Sequence, residues 1–286
     1  MGIDNAADRR AIYLAAVCSQ TYAQYADPDG QFVVPQGFSA RHVIEARSAA
    51  NVPERFGFVL ESPLEVIVAF RGTVSANDWL SDMIASQKRF KYVREPVLTH
   101  RGFTDIYSTA REGILAAVRK LPPDKTLYVT GHSLGAALAT LCAADLAEHT
   151  DFARIVVYTF GSPRVGDDAF AKWFARSIPD SRRYANPFDI VTFAPPAVYK
   201  LPKRDKTYYY RHVRALDSLP FQNGAVGLNH VISSYFAALA KLEPEYAAAL
   251  CRDNPGFCPL PAASPSYEPP PVQTATRISV RFAPYP

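Results

Sequence analysis

A chain of 286 residues, 48% of them hydrophobic, is long enough to fold as one large domain with a substantial core. The formal net charge is only +4 and comes from scattered lysines and arginines, which excludes a strongly basic nucleic-acid-binding face. We therefore expect no nucleic acid as a partner, and a mild preference for anionic lipid surfaces is the alternative left open. The chain contains no Cys/His spacing of a zinc site and no apolar run that could cross a bilayer, so neither a cofactor, a metal nor a transmembrane segment is expected.

Apolar periodicity predicts an alternation of helices and strands along most of the chain. The predicted helices are 8–26, 103–120 and 136–146, and the segment 32–60 is expected to hold two or three antiparallel strands. Further strands are predicted near 64–70, 126–130, 154–160 and 181–186. Strands that alternate with helices favour an α/β fold with a mainly parallel central sheet and helices on both faces.

The composition changes after Arg252, where proline and small residues become frequent. We therefore expect a single domain over 1–252 and a Pro-rich strap over 253–286, packed on the same domain. Within the strap, the alternation of 277–282 predicts a last edge strand. Cys251 and Cys258 flank a turn-rich segment that a disulfide would close in an oxidising compartment.

The most informative motif is Gly131-His132-Ser133-Leu134-Gly135, which follows a short apolar strand and opens an Ala/Leu-rich helix. A serine hydroxyl is a poor nucleophile, and it acts as one only when it is exposed beside a base and close to amide donors. A strand, a tight glycine-flanked turn and a helix meet the first and third of these needs. The alternative is an ordinary glycine-flanked turn, and the strand and helix around it favour the catalytic interpretation.

A nucleophile in such a turn is followed along the chain first by an acid and then by a histidine. Only His212 and His230 come late enough in the sequence. His212 lies in the aromatic and β-branched run 208–213, which predicts a strand, whereas His230 lies where a loop passes into an apolar helix. Loops present catalytic groups more often than strand interiors do, so we predict His230 as the base and a hydrogen-bonded structural role for His212.

Asp189 is the carboxylate that best fits the acid, because it follows a predicted strand and is flanked by apolar side chains. It would hold the His230 imidazole in the tautomer that accepts the serine proton. Five other acidic residues between Ser133 and His230 are interpreted as helix caps or as parts of solvated loops. These are Asp167 and Asp168 for the caps and Asp180, Asp205 and Asp217 for the loops.

Two amides are expected to bind the negative charge that develops on a substrate oxygen. One is the Leu134 amide, directly after the serine. The other is the Thr73 amide, because Thr73 follows the nearly continuous apolar run Leu64 to Phe70, as expected for a strand buried on both faces.

With these residues identified, the chain resembles the class 3 lipases, the fungal-lipase-like branch of the α/β-hydrolases, from about Phe56 to about Leu242. The resemblance rests on a series of short motifs in a fixed order. They are Phe70-Arg71-Gly72-Thr73, Asp78-Trp79-Leu80-Ser81-Asp82, His100-Arg101-Gly102-Phe103, 131–135, 159–166, Asn186 with Asp189-Ile190-Val191, Pro195-Pro196, and His230 with Tyr235. Two departures are Arg214, which stands where the family usually has glycine, and the two residues Pro187 and Phe188 inserted before Asp189.

The resemblance implies an α/β-hydrolase fold and a carboxylic ester hydrolase with Ser133 as nucleophile, Asp189 as acid and His230 as base. It assigns Thr73 and Leu134 to the oxyanion hole. The expected substrates are triacylglycerols or short-to-medium acyl esters, with phospholipase A1 and feruloyl-type esterase as alternatives and a non-catalytic lipase-like interaction module as a remote one.

The resemblance also implies a lid. The segment from Val74 to Ile84 occupies the position of the short amphipathic helix that covers class 3 lipase active sites. An apolar stripe at helical spacing supports this, formed by Trp79, Leu80, Met83 and Ile84. The alternative is a surface helix that stays docked on the core.

The expected partner is an ester or lipid substrate, at a lipid–water interface in the case of a lipid, and nothing in the sequence specifies an oligomeric state. Residues 1–10 are polar and contain no leader peptide. We therefore expect a soluble protein, cytoplasmic as written and extracellular if a leader was removed.

Overall fold

The computed structural model describes residues 5–48, 50–73, 85–200, 205–214 and 216–261. The strands in these ranges are β1 Ser39–Arg47, β2 Pro53–Glu61, β3 Glu65–Phe70, β4 Gln87–Arg89, β5 Leu98–His100, β6 Thr126–His132, β7 Arg154–Phe160, β8 Ser181–Ala185, β9 Val198–Lys200, β10 Thr207–Tyr209 and β11 Asp217–Ser218. The helices are α1 Asn5–Ala26, α2 Arg101–Val118, α3 Leu134–His149, α4 Asp168–Ser177, α5 Ile232–Ala240 and α6 Pro244–Asp253. Short 3₁₀ helices cover Ile190–Phe193 and Gly227–Asn229.

The main sheet has seven strands in the order β1-β2-β3-β6-β7-β8-β11. The first three pair antiparallel, and β3, β6, β7, β8 and β11 pair parallel. The carboxyl ends of parallel strands meet at one edge of a sheet, which is where α/β proteins place their ligand sites. The predicted mainly parallel sheet is therefore confirmed.

Helices cover both faces of this sheet, as predicted. On one face, α2, α3 and α4 enclose a core that includes Phe103, Leu138 and Trp173. On the other, α1, α5 and α6 enclose a second core that includes Ile12 and Tyr235. The central strands contribute side chains to both cores, which explains why their sequences are nearly continuous apolar runs.

Several boundaries differ from the expectations. The segment 32–38 forms no strand, because Pro35 lacks an amide donor and Gly37 adopts a positive φ of 80°. The strand expected around His212 ends at Tyr209, and the histidine lies beyond it. Asp217 was expected in a solvated loop but lies in β11, where its carboxylate accepts a hydrogen bond from the Arg183 amide.

Cys251 and Cys258 form a disulfide, as the sequence suggested. The segment that they enclose packs on α1, where the Gln20 side chain donates to the carbonyl of the fully buried Phe257. The first part of the predicted strap, up to residue 261, is thus irregular and attached to the domain. The rest of the strap, the predicted edge strand at 277–282 and the predicted lid at 74–84 lie outside the described residues.

Candidate active site

Ser133 lies at the turn between β6 and α3, at the carboxyl edge of the sheet. Its φ of 59° and ψ of −128° are costly for a residue with a β-carbon. The backbone around the turn packs closely. A β-carbon on Gly131 would come within 2.2 Å of the Gly135 carbonyl oxygen, and one on Gly135 within 2.3 Å of the Phe70 carbonyl oxygen. The two glycines therefore make this strained serine possible.

Three side chains from three separate loops form a continuous hydrogen-bonded series. His230 Nδ1 lies 2.8 Å from Asp189 Oδ2, and His230 Nε2 lies 2.7 Å from Ser133 Oγ. A carboxylate only accepts hydrogen bonds, so Nδ1 carries the proton and donates it to Asp189. Nε2 consequently presents its lone pair to the serine hydroxyl, which is the arrangement of a general base beside a nucleophile.

The carboxylate of Asp189 is fully buried and receives further donors besides the histidine. The Val191 amide donates to Oδ1 at 3.0 Å, and the Tyr235 hydroxyl donates to Oδ2 at 2.7 Å. Burial and the neighbouring Asp189 raise the pKa of Tyr235 well above its usual range, so this hydroxyl keeps its proton. These bonds fix the position of the Asp189 carboxylate beside the His230 ring.

Gly161 closes the site beneath the acid and the histidine. Its φ is +58°, and a β-carbon there would lie 2.9 Å from Asp189 Oδ2 and 3.3 Å from His230 Nδ1. Sequence reasoning gave this glycine no role of its own. The sequence feature that could have indicated a role for Gly161 is its position directly after strand β7, at the same edge of the sheet as Ser133.

The predicted oxyanion donors flank Ser133. Leu134 is the first residue of α3, so its amide has no acceptor within the helix. Gly72, which precedes Thr73, approaches the nucleophile so closely that a β-carbon on it would lie 2.7 Å from Ser133 Cβ. The Thr73 hydroxyl is buried and has no hydrogen-bond partner among the described residues.

The direction of the Thr73 amide is determined by Arg71, a residue to which the sequence analysis gave no role. Nη1 of Arg71 donates to the Gly72 carbonyl at 2.7 Å. Because a trans peptide is planar, its N–H points opposite to its C=O, and holding the carbonyl therefore aims the Thr73 amide away from Arg71. The guanidinium is itself fixed, since it donates to the Arg55 carbonyl at 2.7 Å and pairs with Glu54.

His132, the neighbour of Ser133, is hydrogen-bonded to the backbone of His230. Its Nε2 donates to the His230 carbonyl at 2.6 Å, and its Nδ1 accepts from the Tyr22 hydroxyl at 2.6 Å. The Tyr22 oxygen in turn accepts from the Gly72 amide at 3.0 Å. Burial, and secondarily His230, lowers the pKa of His132 well below its usual value, so this ring is neutral and makes one bond of each kind. The chain of bonds joins the oxyanion loop to the histidine loop.

His212 is not part of this network. Its Nε2 donates to the Thr192 carbonyl at 2.9 Å, and burial, with nearby Arg183, lowers its pKa to about 3. It therefore has the hydrogen-bonded structural role that the sequence suggested.

A cavity of about 1210 Å³ lies elsewhere, beside β8. Its lining includes Arg154, Lys172 and Arg182 and none of Ser133, Asp189 and His230. This polar cleft is therefore not the place where an acyl ester would meet the serine. Among all the residues that the structure describes, no group of three or more His, Cys, Asp or Glu side chains could hold a metal ion. None of the described helices is long and apolar enough to span a membrane.

The family model for class 3 lipases matches residues 67–199, a segment that begins in β3 and includes Ser133 and Asp189. This match covers a little under half of the chain and gives the chain its likeness to the class 3 lipases. The chain is 34% identical over 155 residues to the lipase of Rhizomucor miehei, covering 52% of this chain and 42% of the relative. It is 28% identical over 225 residues to the phospholipase A1 EG1 of Oryza sativa subsp. indica, covering 67% of this chain and 51% of the relative. It thus spans about half the length of the curated relatives it matches.

A solved triacylglycerol lipase whose catalytic centre is described as a serine protease triad superposes with a TM-score of 0.56 and 26% identity. The match covers 68% of this chain and 77% of that structure. Together with the sheet order, this likeness identifies the fold as that of the α/β-hydrolases.

Proposed function

We propose that this protein hydrolyses carboxylic esters of the lipase type, with Ser133 as nucleophile, His230 as base and Asp189 as the acid that orients the base. The observation that carries the proposal is the continuous series of hydrogen bonds from Asp189 through His230 to Ser133, located at a strained strand-to-helix turn. A buried carboxylate, an imidazole and a hydroxyl joined in this order have one efficient use, which is acyl transfer through the hydroxyl.

In the proposed reaction, Ser133 Oγ attacks the ester carbonyl carbon while His230 Nε2 takes the hydroxyl proton. The tetrahedral intermediate collapses, the C–O bond to the alcohol breaks, and His230 returns the proton to the departing alkoxide. A water molecule then attacks the acyl-enzyme, with His230 again as base, and releases the acid and the free serine. Asp189 stays ionised throughout and stabilises the imidazolium that forms twice in each cycle.

The negative charge on the substrate oxygen is proposed to lie between the amides of Thr73 and Leu134. Arg71 aims the first amide, and the α3 N-terminus supplies the second together with the positive end of its dipole. The unpartnered Thr73 hydroxyl is available as a third donor. Removal of one such donor typically costs a factor of about 100 to 1000 in kcat.

Triacylglycerols and short-to-medium acyl esters are the proposed substrates. The similarity to the Rhizomucor miehei lipase and to the triacylglycerol lipase structure supports a neutral glyceride. The rice relative named phospholipase A1 supports a phospholipid as the second candidate. Initial rates on p-nitrophenyl esters of increasing chain length, beside emulsified triolein and phosphatidylcholine, decide between them.

The test of the proposed mechanism is Ser133→Ala on a soluble p-nitrophenyl butyrate substrate. We expect kcat to fall by about 10⁴ to 10⁶, with residual acceleration from the oxyanion donors. Ser181→Ala is the matched control, because this serine is also buried but its hydroxyl has no partner among the described residues. Turnover by folded Ser133→Ala within tenfold of the unmodified protein would refute the proposal.

A further inference from the structure

The polar cleft beside β8 is lined by many more cationic side chains than acidic ones. Seven arginines and lysines line it, but only two carboxylates do, those of Asp180 and Asp217. Its volume of about 1210 Å³ is sufficient for a small organic molecule. A concave surface that concentrates one sign of charge attracts ligands of the opposite sign. The lining of the cleft therefore favours an anion.

Carboxylates in and around the cleft neutralise only part of this charge. Three of the seven cations pair one to one with a carboxylate, in the pairs Arg154–Asp180, Arg182–Asp217 and Arg10–Glu65. Two more, Lys172 and Arg211, share the single carboxylate of Asp168. The last two, Arg164 and Arg214, form no ion pair among the described residues.

Arg164 is the clearest case of a cation without a counter-charge. Its Nη1 donates to the Pro195 carbonyl at 2.8 Å and also to the Phe193 carbonyl, and both of these acceptors are neutral. Its Nε and Nη2 have no hydrogen-bond partner among the described residues. The guanidinium is partly buried, and burial lowers its pKa. Because an arginine stays protonated in a protein, a bound anion would offset the cost of this desolvation.

Arg183 lies behind the same wall and adds to its positive charge. This buried side chain donates from Nε to the Arg214 carbonyl at 3.2 Å, while the nearby Asp217 bonds to its backbone amide rather than to its guanidinium. His212 lines the cleft and responds to the charge. Burial, and then the charges of Arg183 and Arg164, lower the pKa of His212 to about 3. The imidazole is therefore neutral, and the arginines alone make this wall positive.

Backbone contacts fix the segment 211–214 against the loop that carries Arg164. The Arg211 amide donates to the Gly166 carbonyl at 2.9 Å, and the Arg164 amide donates to the Ala194 carbonyl at 2.7 Å. The bond from Arg183 holds the other end of the segment at its last carbonyl. The backbone positions of the cleft arginines are thus defined without a ligand, which lowers the entropic cost of binding one.

We propose that this cleft binds the phosphate groups of a small molecule between Arg164, Arg211 and Arg214. A phosphate presents oxygens in several directions, so guanidinium groups from separate segments can bind it together, whereas the two oxygens of a carboxylate lie in one plane. The cleft lining includes none of the three proposed catalytic residues. The inference therefore goes beyond the proposed ester hydrolysis, because binding a phosphate requires no turnover.

Isothermal titration calorimetry with inorganic pyrophosphate, in a low-salt buffer free of divalent metals, tests the proposal with the unmodified chain. We expect one site with a Kd below about 1 mM. Arg211→Gln with Arg214→Gln should weaken binding by at least about tenfold, because each change removes donors of charge-assisted hydrogen bonds. Both side chains are exposed, and Lys172 still pairs with Asp168 in this variant. Arg164 is left unchanged because its bonds to backbone carbonyls support the fold.

Arg47→Gln with Arg89→Gln is the matched control. Both side chains are exposed, and among the described residues their guanidinium groups donate only to backbone carbonyls, those of Asn51 and Arg94. The control makes the same change in net charge away from the cleft, so it should bind pyrophosphate within about twofold of the unmodified protein. Ser133→Ala should bind it unchanged, because the cleft is separate from the candidate active site.

Equal weakening by the two arginine pairs would overturn the proposal, because net charge alone would then explain the binding. Neither a binding heat nor a rise in Tm with pyrophosphate would also overturn it. Citrate that binds as tightly as pyrophosphate would refute the preference for phosphate. Loss of binding in Ser133→Ala would place the anion in the candidate active site instead. Pyrophosphate binding as expected by a protein that hydrolyses no ester would refute the proposed function and leave the phosphate site standing.

Discussion

At the scale of single residues, the central feature is the number of hydrogen-bond donors around the Asp189 carboxylate. Asp189 is bonded by a backbone amide, a tyrosine hydroxyl and the His230 ring, each from a different part of its surroundings. The Tyr235 hydroxyl also accepts from the Asn186 amide at 3.0 Å, so it links the β8 end to helix α5. In the proposed mechanism, Tyr235 orients Asp189, and Asp189 in turn orients His230.

Tyr235→Phe tests this orienting role. We expect kcat on p-nitrophenyl butyrate to fall by about tenfold with little change in KM, because the remaining bonds still hold Asp189 ionised but less firmly. Tyr184→Phe is the matched control, since Tyr184 is also buried and its hydroxyl has no partner among the described residues. Equal kcat for Tyr235→Phe and the control would show that the hydroxyl has no influence on the acid.

The identity of Ser133, Asp189 and His230 as candidates followed from motif spacing and chain order, because each lies beside a recognisable strand or helix end. The contributions of Arg71, Gly161 and His132 were not foreseen. Each acts through a contact with a residue distant in sequence, such as the bond from His132 to the His230 carbonyl. Local sequence patterns contain no information about such pairs. For Arg71, the one hint in the sequence was an arginine directly after a buried strand.

At the scale of elements, helix α2 begins with an unusual cap. His100 Nδ1 accepts from the Phe103 amide at 3.3 Å, so the proton is on Nε2, which is buried without a partner among the described residues. Burial lowers the pKa of His100 to about 4, against the smaller opposing effect of Asp105. The helix therefore starts on an imidazole that must remain neutral.

This cap predicts a pH dependence of stability. The unfolded chain binds a proton at His100 near pH 6.5 and the folded chain only near pH 4, so stability is fully present above pH 6.5 and falls as the pH falls toward 4. His100→Asn keeps an acceptor for the cap but cannot titrate. Urea unfolding at pH 7 and pH 5 should show a loss for the unmodified protein about 1 to 2 kcal/mol larger than for His100→Asn. Parallel losses in the two proteins would contradict the buried neutral histidine.

The long helices and the central strands could be predicted from sequence because their apolar periodicity is strong and their burial is continuous. The segments for which the prediction was wrong lie outside the central strands of the main sheet. Residues 208–213 have strand-like composition, yet pairing ends at Tyr209, and Arg211 forms only an isolated bridge to Gly166. Aromatic composition alone cannot determine where a neighbouring strand stops offering partners.

At the scale of the whole molecule, we propose that residues 1–252 form one domain with 253–286 packed on it. The described beginning of the strap supports this, because the disulfide from Cys251 to Cys258 and the buried Phe257 hold it against α1. The disulfide closes a short loop, so it adds at most about 3 kcal/mol to the free energy of unfolding.

Access to the serine is the other property of the whole molecule. Ser133 is fully buried, and the segment that the sequence predicts as a lid lies outside the described residues. The predicted lid begins with Ser75, Ala76 and Asn77, which are small or polar and give a lipid surface little to bind. We therefore expect measurable turnover of soluble esters and only a few-fold rise when the substrate exceeds its solubility limit. Rates measured across that limit test this, and no activity below it followed by a steep jump would show a strict gate.

The central claim is that His230 activates Ser133 as the nucleophile, and covalent labelling tests it most directly. A p-nitrophenyl alkylphosphonate should add to Ser133 alone, as located by peptide mass spectrometry, and it should do so at a similar rate in His212→Ala. In folded His230→Ala the labelling rate should fall by at least about 1000-fold, because the hydroxyl has lost its base. Labelling at another residue, or equal rates in the two histidine variants, would contradict the account.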